Sequence, residues 1–366
     1  MSKSNYDESK HAYFKPKGLH HGGRILAAVE KYHIAQEDWL DLSTGLNPTA
    51  WPVPDIPSEL WQALPEEHDG LQAAACQYYG CDACLPIAGS QAAIQTLPAL
   101  RSYSKVGVIS PTYAEHEYNW RQAGHDVVPL SVDEVEQEIN SLDVLVVINP
   151  NNPTGNVISA EQLLDWHQTL SSRGGWLIVD EAFMDVTPEK SLTLLGVKPG
   201  LIILRSIGKF FGLAGIRCGF VISDNELLQR LSQKLGPWTL TGVTRFVATQ
   251  ALLDKIWQVE TRKNIIESSE RLNEMLSHVC LIPSGSTVLF QWVEHSKAKE
   301  LYEAFAEKGV LIRLFNKQGK MTMPSLRFGL PASEKQWQQF SEALTSLSSL
   351  IIENNISEEN KLCTNN

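Results

Sequence analysis

The stretch SIGKFFGLAGIRCGF, residues 206–220, indicates both how this sequence folds and where its chemistry lies. Its lysine, Lys209, stands between a glycine and two phenylalanines, directly after the apolar run LIILRSI at 201–207. Lysine is mostly a surface residue, so a lysine framed by glycine and apolar side chains is unusual. The stretch therefore predicts a buried strand followed by a turn that holds an amine inside the protein.

Short apolar runs alternate with helical patterns before this stretch. KVGVIS, DVVPL, DVLVVINP and WLIVDEAF begin at residues 105, 126, 143 and 176, and SAEQLLDWHQTLSSRG at 159–174 has the serine start and glycine stop of a helix. Continuous Val, Ile and Leu runs are typical of strands that are buried on both faces. The pattern predicts an α/β fold with a mostly parallel sheet sandwiched by helices.

The pattern changes after about residue 240, where a long helical stretch leads into TVLFQWV, GVLIRLF and SLRFGL. These runs predict a smaller α+β domain, and the short strand expected within 33–48 joins it. We expect a large domain at 46–256, a small domain formed by 18–45 and 257–350, and flexible termini at 1–17 and 351–366.

Composition excludes several classes of protein. The 366 residues include 31 Lys and Arg against 42 Asp and Glu, a net charge of −11, with 43% hydrophobic residues. These values exclude a disordered chain, a collagen-like chain and a small disulfide scaffold. An acidic chain also lacks the wide basic surface of a general nucleic-acid binder, and no apolar run approaches the length of a membrane span. We therefore expect neither nucleic acid nor membrane as a partner.

The polar N-terminal segment lacks the apolar core of a secretory signal, so we expect a cytoplasmic protein with reduced thiols. Cys81 and Cys84 form a C-x-x-C pair, but neither a second cysteine pair nor a histidine follows at zinc-ligand spacing. We interpret the pair as small packing residues and predict no metal.

Three further segments accompany residues 206–220: NPNNPTGN at 149–156, DEAF at 180–183 and LRFG at 326–329. Each is weak alone, because Asn-Pro-Thr-Gly forms turns in many proteins and a strand-end aspartate often caps a helix. Together, in this order, they resemble the fold-type I aminotransferase superfamily, whose cofactor is pyridoxal 5′-phosphate (PLP). The resemblance covers roughly residues 20–350 and implies the PLP fold type I, usually as a homodimer.

The resemblance implies a role for each residue around the cofactor ring. Lys209 would form the Schiff base with the PLP aldehyde, and Asp180 would keep the pyridine nitrogen protonated so that the ring withdraws electrons. Asn152 would donate to the ring oxygen, and Tyr113 would stack on the ring face. The cofactor phosphate would be held by five residues: Ser206, Arg217, Gly89, Ser90 and Gln91.

Simpler interpretations of these residues remain open from the sequence alone. Lys209 would then be a surface lysine, Asp180 a helix cap and Tyr113 an ordinary packing residue. Ser90 is compatible with a helix N-cap as well as with a phosphate contact, because both use the same position.

The reaction is narrowed by a second resemblance within the superfamily. The strongest local match, 213–220, is shared with histidinol-phosphate aminotransferases. The segments His21-Gly22-Gly23 and LDLSTGLNP at 40–48, together with Phe183 and the pair Arg313 and Arg327, look more like the L-threonine-O-3-phosphate decarboxylases of cobalamin biosynthesis.

This second resemblance implies how the substrate is bound. Arg327 and Arg313 would grip the α-carboxylate, and Arg327 would do so in bidentate geometry. His21, Gly22 and Gly23 would receive the substrate phosphate at a helix N-terminus. Asn47, in the segment 40–48, is a further candidate for substrate binding.

The sequence thus predicts decarboxylation of O-phospho-L-threonine to (R)-1-amino-2-propanol O-phosphate, with a phosphorylated amino acid as the small-molecule partner. A histidinol-phosphate-type aminotransferase is the alternative, and a non-catalytic aminotransferase-like module is a third reading. His21 as a plain loop residue and Arg313 as a surface charge at a strand end also remain open.

Overall fold

The computed structural model of the protein describes residue 19, residues 21–317 and residues 319–363, with residues 352–363 as backbone alone. The helices in this part of the chain are α1 (Ile25–Tyr32), α2 (Glu59–Gln62), α3 (Leu71–Tyr79), α4 (Ser90–Thr96), α5 (Glu115–Gln122), α6 (Val132–Glu138), α7 (Ala160–Ser171), α8 (Asn225–Leu235), α9 (Gly242–Leu253), α10 (Lys255–His278), α11 (Ala298–Glu307) and α12 (Glu334–Cys363). The strands are β1 (Leu40–Asp41), β2 (Leu85–Ile87), β3 (Lys105–Ile109), β4 (Asp126–Leu130), β5 (Val144–Ile148), β6 (Trp176–Asp180), β7 (Leu201–Ser206), β8 (Gly219–Ile222), β9 (Gly285–Thr287), β10 (Phe290–Glu294), β11 (Val310–Leu311), β12 (Arg313–Phe315) and β13 (Ser325–Gly329).

The large sheet has seven strands among the described residues, in the order β2-β8-β7-β6-β5-β3-β4. Strand β8 runs antiparallel to both of its neighbours, and the remaining pairs are parallel. Every residue of β5 and β6 is buried, as the continuous apolar runs predicted. The predicted mostly parallel sheet is therefore confirmed.

Both faces of this sheet are covered by helices. Leu145 and Val147 of β5 pack into one apolar cluster, whereas Val144 and Val146 pack into another, because alternate residues of a strand point to opposite faces. Helix α7 contributes to the first cluster and α4 to the second. The sandwich leaves only the ends of the strands open to ligands.

Strand β3 lies between β4 and β5, so the chain adds β4 on one side of β3 and β5 on the other. The carboxyl ends of neighbouring strands diverge at such a point, so ligands of open α/β sheets bind there. The segments that follow β3, β5 and β7 contain Tyr113, Asn152 and Lys209, respectively, and Asp180 is the last residue of β6. The topology therefore gathers four of the predicted site residues at one edge.

A smaller four-stranded antiparallel sheet, β12-β13-β10-β9, belongs to the C-terminal part of the chain. Strand β1 pairs in parallel with β11, with Leu40 opposite Val310. The short strand expected within 33–48 therefore joins the C-terminal part as predicted. The domain boundaries themselves stay a prediction.

Helix α12 continues as a backbone helix to Cys363, and the expectation of a flexible segment at 351–366 stays a prediction. A nucleated helix gains one hydrogen bond for each added residue without a new nucleation cost, so a polar sequence does not by itself end it. The predicted N-terminal segment 1–17 lies outside the described residues. In the part of the chain that the structure describes, no helix is both long and apolar enough to cross a membrane.

Candidate active site

Lys209 lies in the turn that follows β7, and its amine opens onto two adjoining cavities. Its nitrogen lies 5.5 Å from the ring centroid of Phe183, which forms an apolar wall beside it. Desolvation, with the positive charges of Arg327 and Arg217, lowers the pKa of the Lys209 ammonium to about 8, although Asp180 opposes this shift. A larger fraction of this amine is neutral near pH 7 than of an ordinary lysine, as a nucleophilic amine requires.

Asn47 holds this turn in place. Its backbone N–H donates to the Lys209 carbonyl at 2.9 Å, and its side-chain nitrogen donates to the Phe210 carbonyl at 2.9 Å. Its side-chain oxygen accepts from the N–H of Thr49 at 3.0 Å. Asn47 lines neither of the two cavities, and its amide is bonded to backbone, so its binding of substrate stays a prediction.

Asp180 ends β6 and is 3% exposed. One carboxylate oxygen accepts from the N–H of Ala182 at 3.1 Å, and the other lies 3.0 Å from Nε2 of buried His116. A carboxylate can only accept, so this histidine nitrogen carries the hydrogen. Each oxygen of the Asp180 carboxylate thus has a hydrogen-bond donor, and the two donors stabilise and orient the buried group.

His116 was not predicted from the sequence. It lies in the first turn of α5, three residues after Tyr113, and the two rings meet edge to face with centroids 6.4 Å apart. The signal that could have identified His116 is its position on the helix after β3, because the strand order reverses at β3 and ligands bind at such points.

Glu181 faces away from the cavities although it is next to Asp180. It is fully buried and accepts from Arg205 Nη1 at 2.6 Å, and the other arm of Arg205 donates to Asp185 at 2.6 Å. These contacts give Glu181 a structural role in the core. Adjacent acids therefore take different roles because they point to opposite sides of the chain.

Tyr113 is held by a chain of hydrogen bonds across the entrance. Its hydroxyl donates to Gln91 Oε1 at 3.2 Å, and Gln91 Nε2 donates to Glu115 at 3.0 Å. The other oxygen of Glu115 lies 2.8 Å from His21 Nε2. Burial and the charge of Glu115 raise the pKa of Tyr113 to about 12, so the hydroxyl stays protonated. Glu115, which joins the cofactor residues to His21, was missed by the sequence analysis.

Arg327 is a buried arginine of β13 that faces the cavities. Its Nη1 donates to Asn152 Oδ1 at 2.6 Å and its Nη2 to the Ser43 carbonyl at 2.9 Å. Among the described residues its buried Nε has no hydrogen-bond partner. Burial and the charge of Arg313 lower the pKa of Arg327 to about 9.

Arg313 lies directly opposite Arg327 in the antiparallel pair of β12 and β13. Two facing guanidinium groups repel each other, so the arrangement favours an anion that contacts both. The bond from Arg327 also fixes the Asn152 amide, so the nitrogen of that amide is the group left to donate to a ligand.

The residues predicted for the cofactor phosphate meet near the start of α4. Gly89 has a φ of 71°, and a Cβ there would lie 2.7 Å from Nη2 of Arg217. A Cβ on Gly219 would lie 2.7 Å from the backbone nitrogen of Ser90. Ser206, at the end of β7, accepts from the N–H of Gly208 at 3.3 Å. Glycine at position 89 thus leaves room for the Arg217 guanidinium, and glycine at position 219 leaves room for the backbone amide of Ser90.

Two cavities divide the site. One of about 380 Å³ is lined by residues predicted for the cofactor, and one of about 460 Å³ by residues predicted for the substrate. They share five lining residues, which are His21, Tyr113, Asn152, Phe183 and Lys209. The first cavity adds Ser90, Gln91, Asp180, Ser206 and Arg217, and the second adds Gly22, Arg313 and Arg327.

The predicted glycine pair is only partly in contact with the second cavity. Gly22 lines it, and a Cβ there would lie 2.4 Å from the Ser43 carbonyl oxygen. Gly23 does not line it, and its N–H donates to the Ser43 hydroxyl at 2.8 Å. The backbone donor of Gly23 is thus already used in this structure, and its contact with a substrate phosphate stays a prediction.

Comparison with known proteins shows the family of this chain. The model of the family described as aminotransferase class I and II matches residues 58–344. A threonine-phosphate decarboxylase of Pseudomonas aeruginosa is 50% identical over 326 residues, 89% of this chain and 97% of that protein. One of Sinorhizobium sp is 37% identical over 305 residues, 81% of this chain and 90% of that protein. The chain belongs to the aminotransferase class I and II family.

The fold agrees with solved structures as well. A histidinol-phosphate aminotransferase of Sinorhizobium meliloti, determined in complex with pyridoxal-5′-phosphate, superposes with a TM-score of 0.72 at 18% identity. The match covers 94% of this chain and 99% of that one, and it shows that the two proteins share a fold.

The cofactor of this family is PLP, and the residues of the first cavity fit it. The Lys209 amine matches the aldehyde, and the Asp180 carboxylate matches a protonated ring nitrogen. Arg217, Ser206 and the Ser90 amide, which the two glycines allow to approach, match a phosphate.

Substitution of Asn47 by alanine should loosen the Lys209 turn. The variant loses the side-chain bonds to Phe210 and Thr49 and leaves the buried Phe210 carbonyl unpaired. We expect a loss of about 1–3 kcal/mol in the free energy of unfolding, measured by urea denaturation. Exposed Asn225→Ala is the control and should change it by less than about 0.5 kcal/mol. Equal losses in the two variants would show that Asn47 does not anchor the turn.

The lowered pKa of Lys209 should appear in the capture of PLP by the apoenzyme. Only the neutral amine attacks the aldehyde, so the rate should rise as the pH increases through about 8 and level off above it. Stopped-flow absorbance measures the rate, and Nα-acetyl-lysine with PLP is the control for changes in the cofactor itself. A profile that still rises above pH 9.5, as the free amine does, would contradict the assignment.

Proposed function

We propose that the protein catalyses decarboxylation of O-phospho-L-threonine to (R)-1-amino-2-propanol O-phosphate, a step of cobalamin biosynthesis. The observation that carries this proposal is the pairing of Arg313 with Arg327 across β12 and β13, in the cavity that also contains Lys209. A substrate with both a carboxylate and a phosphate supplies the negative charge that these cations require. The decarboxylases at 50% and 37% identity support the same substrate.

Arg327 is the residue that orients the bond to be broken. Asn152 and the Ser43 carbonyl hold its guanidinium from two sides, so a carboxylate bound to it is fixed in direction. PLP held in the first cavity would supply an electron sink for the electron pair released from the bond between Cα and the carboxylate, and the Lys209 amine would be free at that stage because the substrate amine takes its place. The chain's own task is to keep that bond in one orientation while CO₂ leaves.

Lys209 is placed to complete the reaction with a proton. After CO₂ has left, its ammonium group gives a proton to Cα, and the amine that remains is neutral. A pKa of about 8 lets the same nitrogen carry a proton and release it near neutral pH. The Phe183 ring beside it limits access of water to the carbon that receives the proton.

The phosphate of the substrate is assigned to the end of the second cavity near His21 and Gly22. Glu115 Oε1 lies 2.8 Å from His21 Nε2, so this contact fixes the imidazole ring at the edge of the cavity. A Cβ at position 22 would meet Ser43, so glycine keeps the segment close to the cavity. This placement gives the two anionic groups of the substrate separate partners.

We further propose that the protein acts as a homodimer in the cytoplasm. Trp61, Ile256 and Val259 are exposed by 67%, 75% and 67%, respectively, and helices α2 and α9 pack together next to the start of α10. Large apolar side chains exposed to this extent favour contact with another protein surface.

The reaction is tested by incubating the PLP-loaded enzyme with O-phospho-L-threonine and 2-oxoglutarate. We expect one CO₂ for each substrate consumed and no glutamate. L-Threonine is the matched control, and its kcat/KM should be at least about 100-fold lower because the phosphate contacts are lost. Glutamate formation without CO₂ would establish the aminotransferase alternative instead.

The carboxylate role of Arg327 is tested by Arg327→Ala. Loss of a buried charge-assisted contact costs about 2–5 kcal/mol, so kcat/KM should fall by at least about 30-fold. Arg327→Lys should recover only part of the activity, since an ammonium group lacks the planar fork. Exposed His68→Ala is the control and should stay within about twofold of the wild type. Equal, small effects of the two alanine variants would place the carboxylate elsewhere.

A further inference from the structure

Three cysteine sulfurs meet at the connection between α3 and β2, away from the site described above. Cys76 belongs to the last turns of α3, and Cys81 and Cys84 lie in the loop that follows. Their sulfur atoms all lie within 4.8 Å of one another, and those of Cys76 and Cys84 are 3.7 Å apart. The sequence analysis interpreted Cys81 and Cys84 as packing residues because a further ligand at a familiar spacing was absent. The fold supplies that ligand from the preceding helix.

The backbone of the loop is held in the shape that brings the sulfurs together. Gly80 has a φ of 67° and reverses the chain after α3. The N–H of Cys81 donates to the Cys76 carbonyl at 3.1 Å, and Gln72 Nε2 donates to the Cys84 carbonyl at 2.9 Å. These bonds set the positions of the three side chains without any contribution from a metal.

The spacing of the sulfurs matches that of a metal site. Zinc–thiolate bonds of about 2.3 Å in a tetrahedral site place neighbouring sulfurs about 3.8 Å apart, close to the Cys76–Cys84 separation. We propose that Cys76, Cys81 and Cys84 bind one Zn²⁺ ion as thiolates, with solvent as the fourth ligand.

Access and charge agree with a metal that enters from solvent. Cys84 is 1% exposed, whereas Cys76 and Cys81 are half-buried and form the open side of the cluster. Exposed Asp82 acts on Cys76 through its negative charge, which favours a divalent cation nearby. Thiolates are soft ligands and select zinc over the hard cations Mg²⁺ and Ca²⁺.

The ion would tie α3 to an otherwise weakly held strand. Strand β2 has three residues and, among the described residues, pairs only with β8. It leads from Cys84 to Gly89 and Ser90, which stand beside Arg217 in the cofactor cavity. A bond between α3 and the start of β2 would stabilise the segment that carries the phosphate contacts. The ion has a structural role and takes no part in the reaction.

The test is zinc binding by the full-length, PLP-loaded protein, purified with reductant and stripped with a chelator. Titration against a chromophoric zinc chelator should show one tight site per chain in the wild type. In Cys81→Ser the affinity should fall by at least about 100-fold, since a thiolate ligand is lost. Exposed Cys280→Ser is the matched control and should bind as the wild type does.

Spectra and stability separate ligation from adventitious binding. Co²⁺ in place of zinc should give thiolate charge-transfer absorbance and the long-wavelength bands of a tetrahedral ion in the wild type and in Cys280→Ser, and not in Cys81→Ser. Zinc should also raise the melting temperature of the wild type and of Cys280→Ser, but not that of Cys81→Ser, because it binds the folded state.

The proposal is overturned by zinc binding that is equal in wild type and Cys81→Ser, or by the absence of tight binding. It is also overturned by a disulfide among the three cysteines in freshly purified protein, detected as a mass lower by two hydrogens. These readouts do not depend on the reaction catalysed, so a failure here is distinct from a failure of the proposed decarboxylation.

Discussion

Desolvation of positive charge is the constraint on which the site depends. Lys209 and Arg327 are packed in a cavity where burial lowers the pKa values of both groups, to about 8 and about 9. The charge of Arg327 adds to the cost of charging Lys209, and the charge of Arg313 adds to the cost of charging Arg327. Anionic ligands offset that cost, so an acidic protein with a net charge of −11 keeps a cationic interior for a phosphate cofactor and a doubly anionic substrate.

The fold satisfies this constraint by holding each charged group with neutral partners. Most of these partners are backbone groups or amides. Asn47 donates to carbonyls of the Lys209 turn, and the Ser43 carbonyl accepts from Arg327. Asp180 is the exception, because it is oriented by a histidine as well as by a backbone N–H. Groups held in this way need little rearrangement when charge moves during a reaction, and such preorganisation is a large part of catalysis.

Residues whose role depends on chemical type were predictable from sequence, and those whose role depends on neighbours were not. Lys209, Asp180 and Arg217 lie in motifs that combine an unusual residue with a strand end or a glycine turn. His116 and Glu115 carry no such signal, because a helix residue becomes a partner only when β3 and β6 bring it near. Asn47 and Gly23 were assigned to the substrate, yet nearby backbone and the Ser43 hydroxyl take up their polar groups first.

The sequence by itself determined the α/β class, the strands that carry the candidate site and the buried amine that lines both cavities, since hydrophobic periodicity and glycine placement act over short distances. The tertiary structure alone decided that Arg313 stands opposite Arg327, that Asp180 bonds to His116 and that Cys76 joins Cys81 and Cys84. These contacts join elements that are separate in the chain, and their distances follow from strand register and helix packing. Such geometry is a property of the packed chain and is not encoded in any one segment.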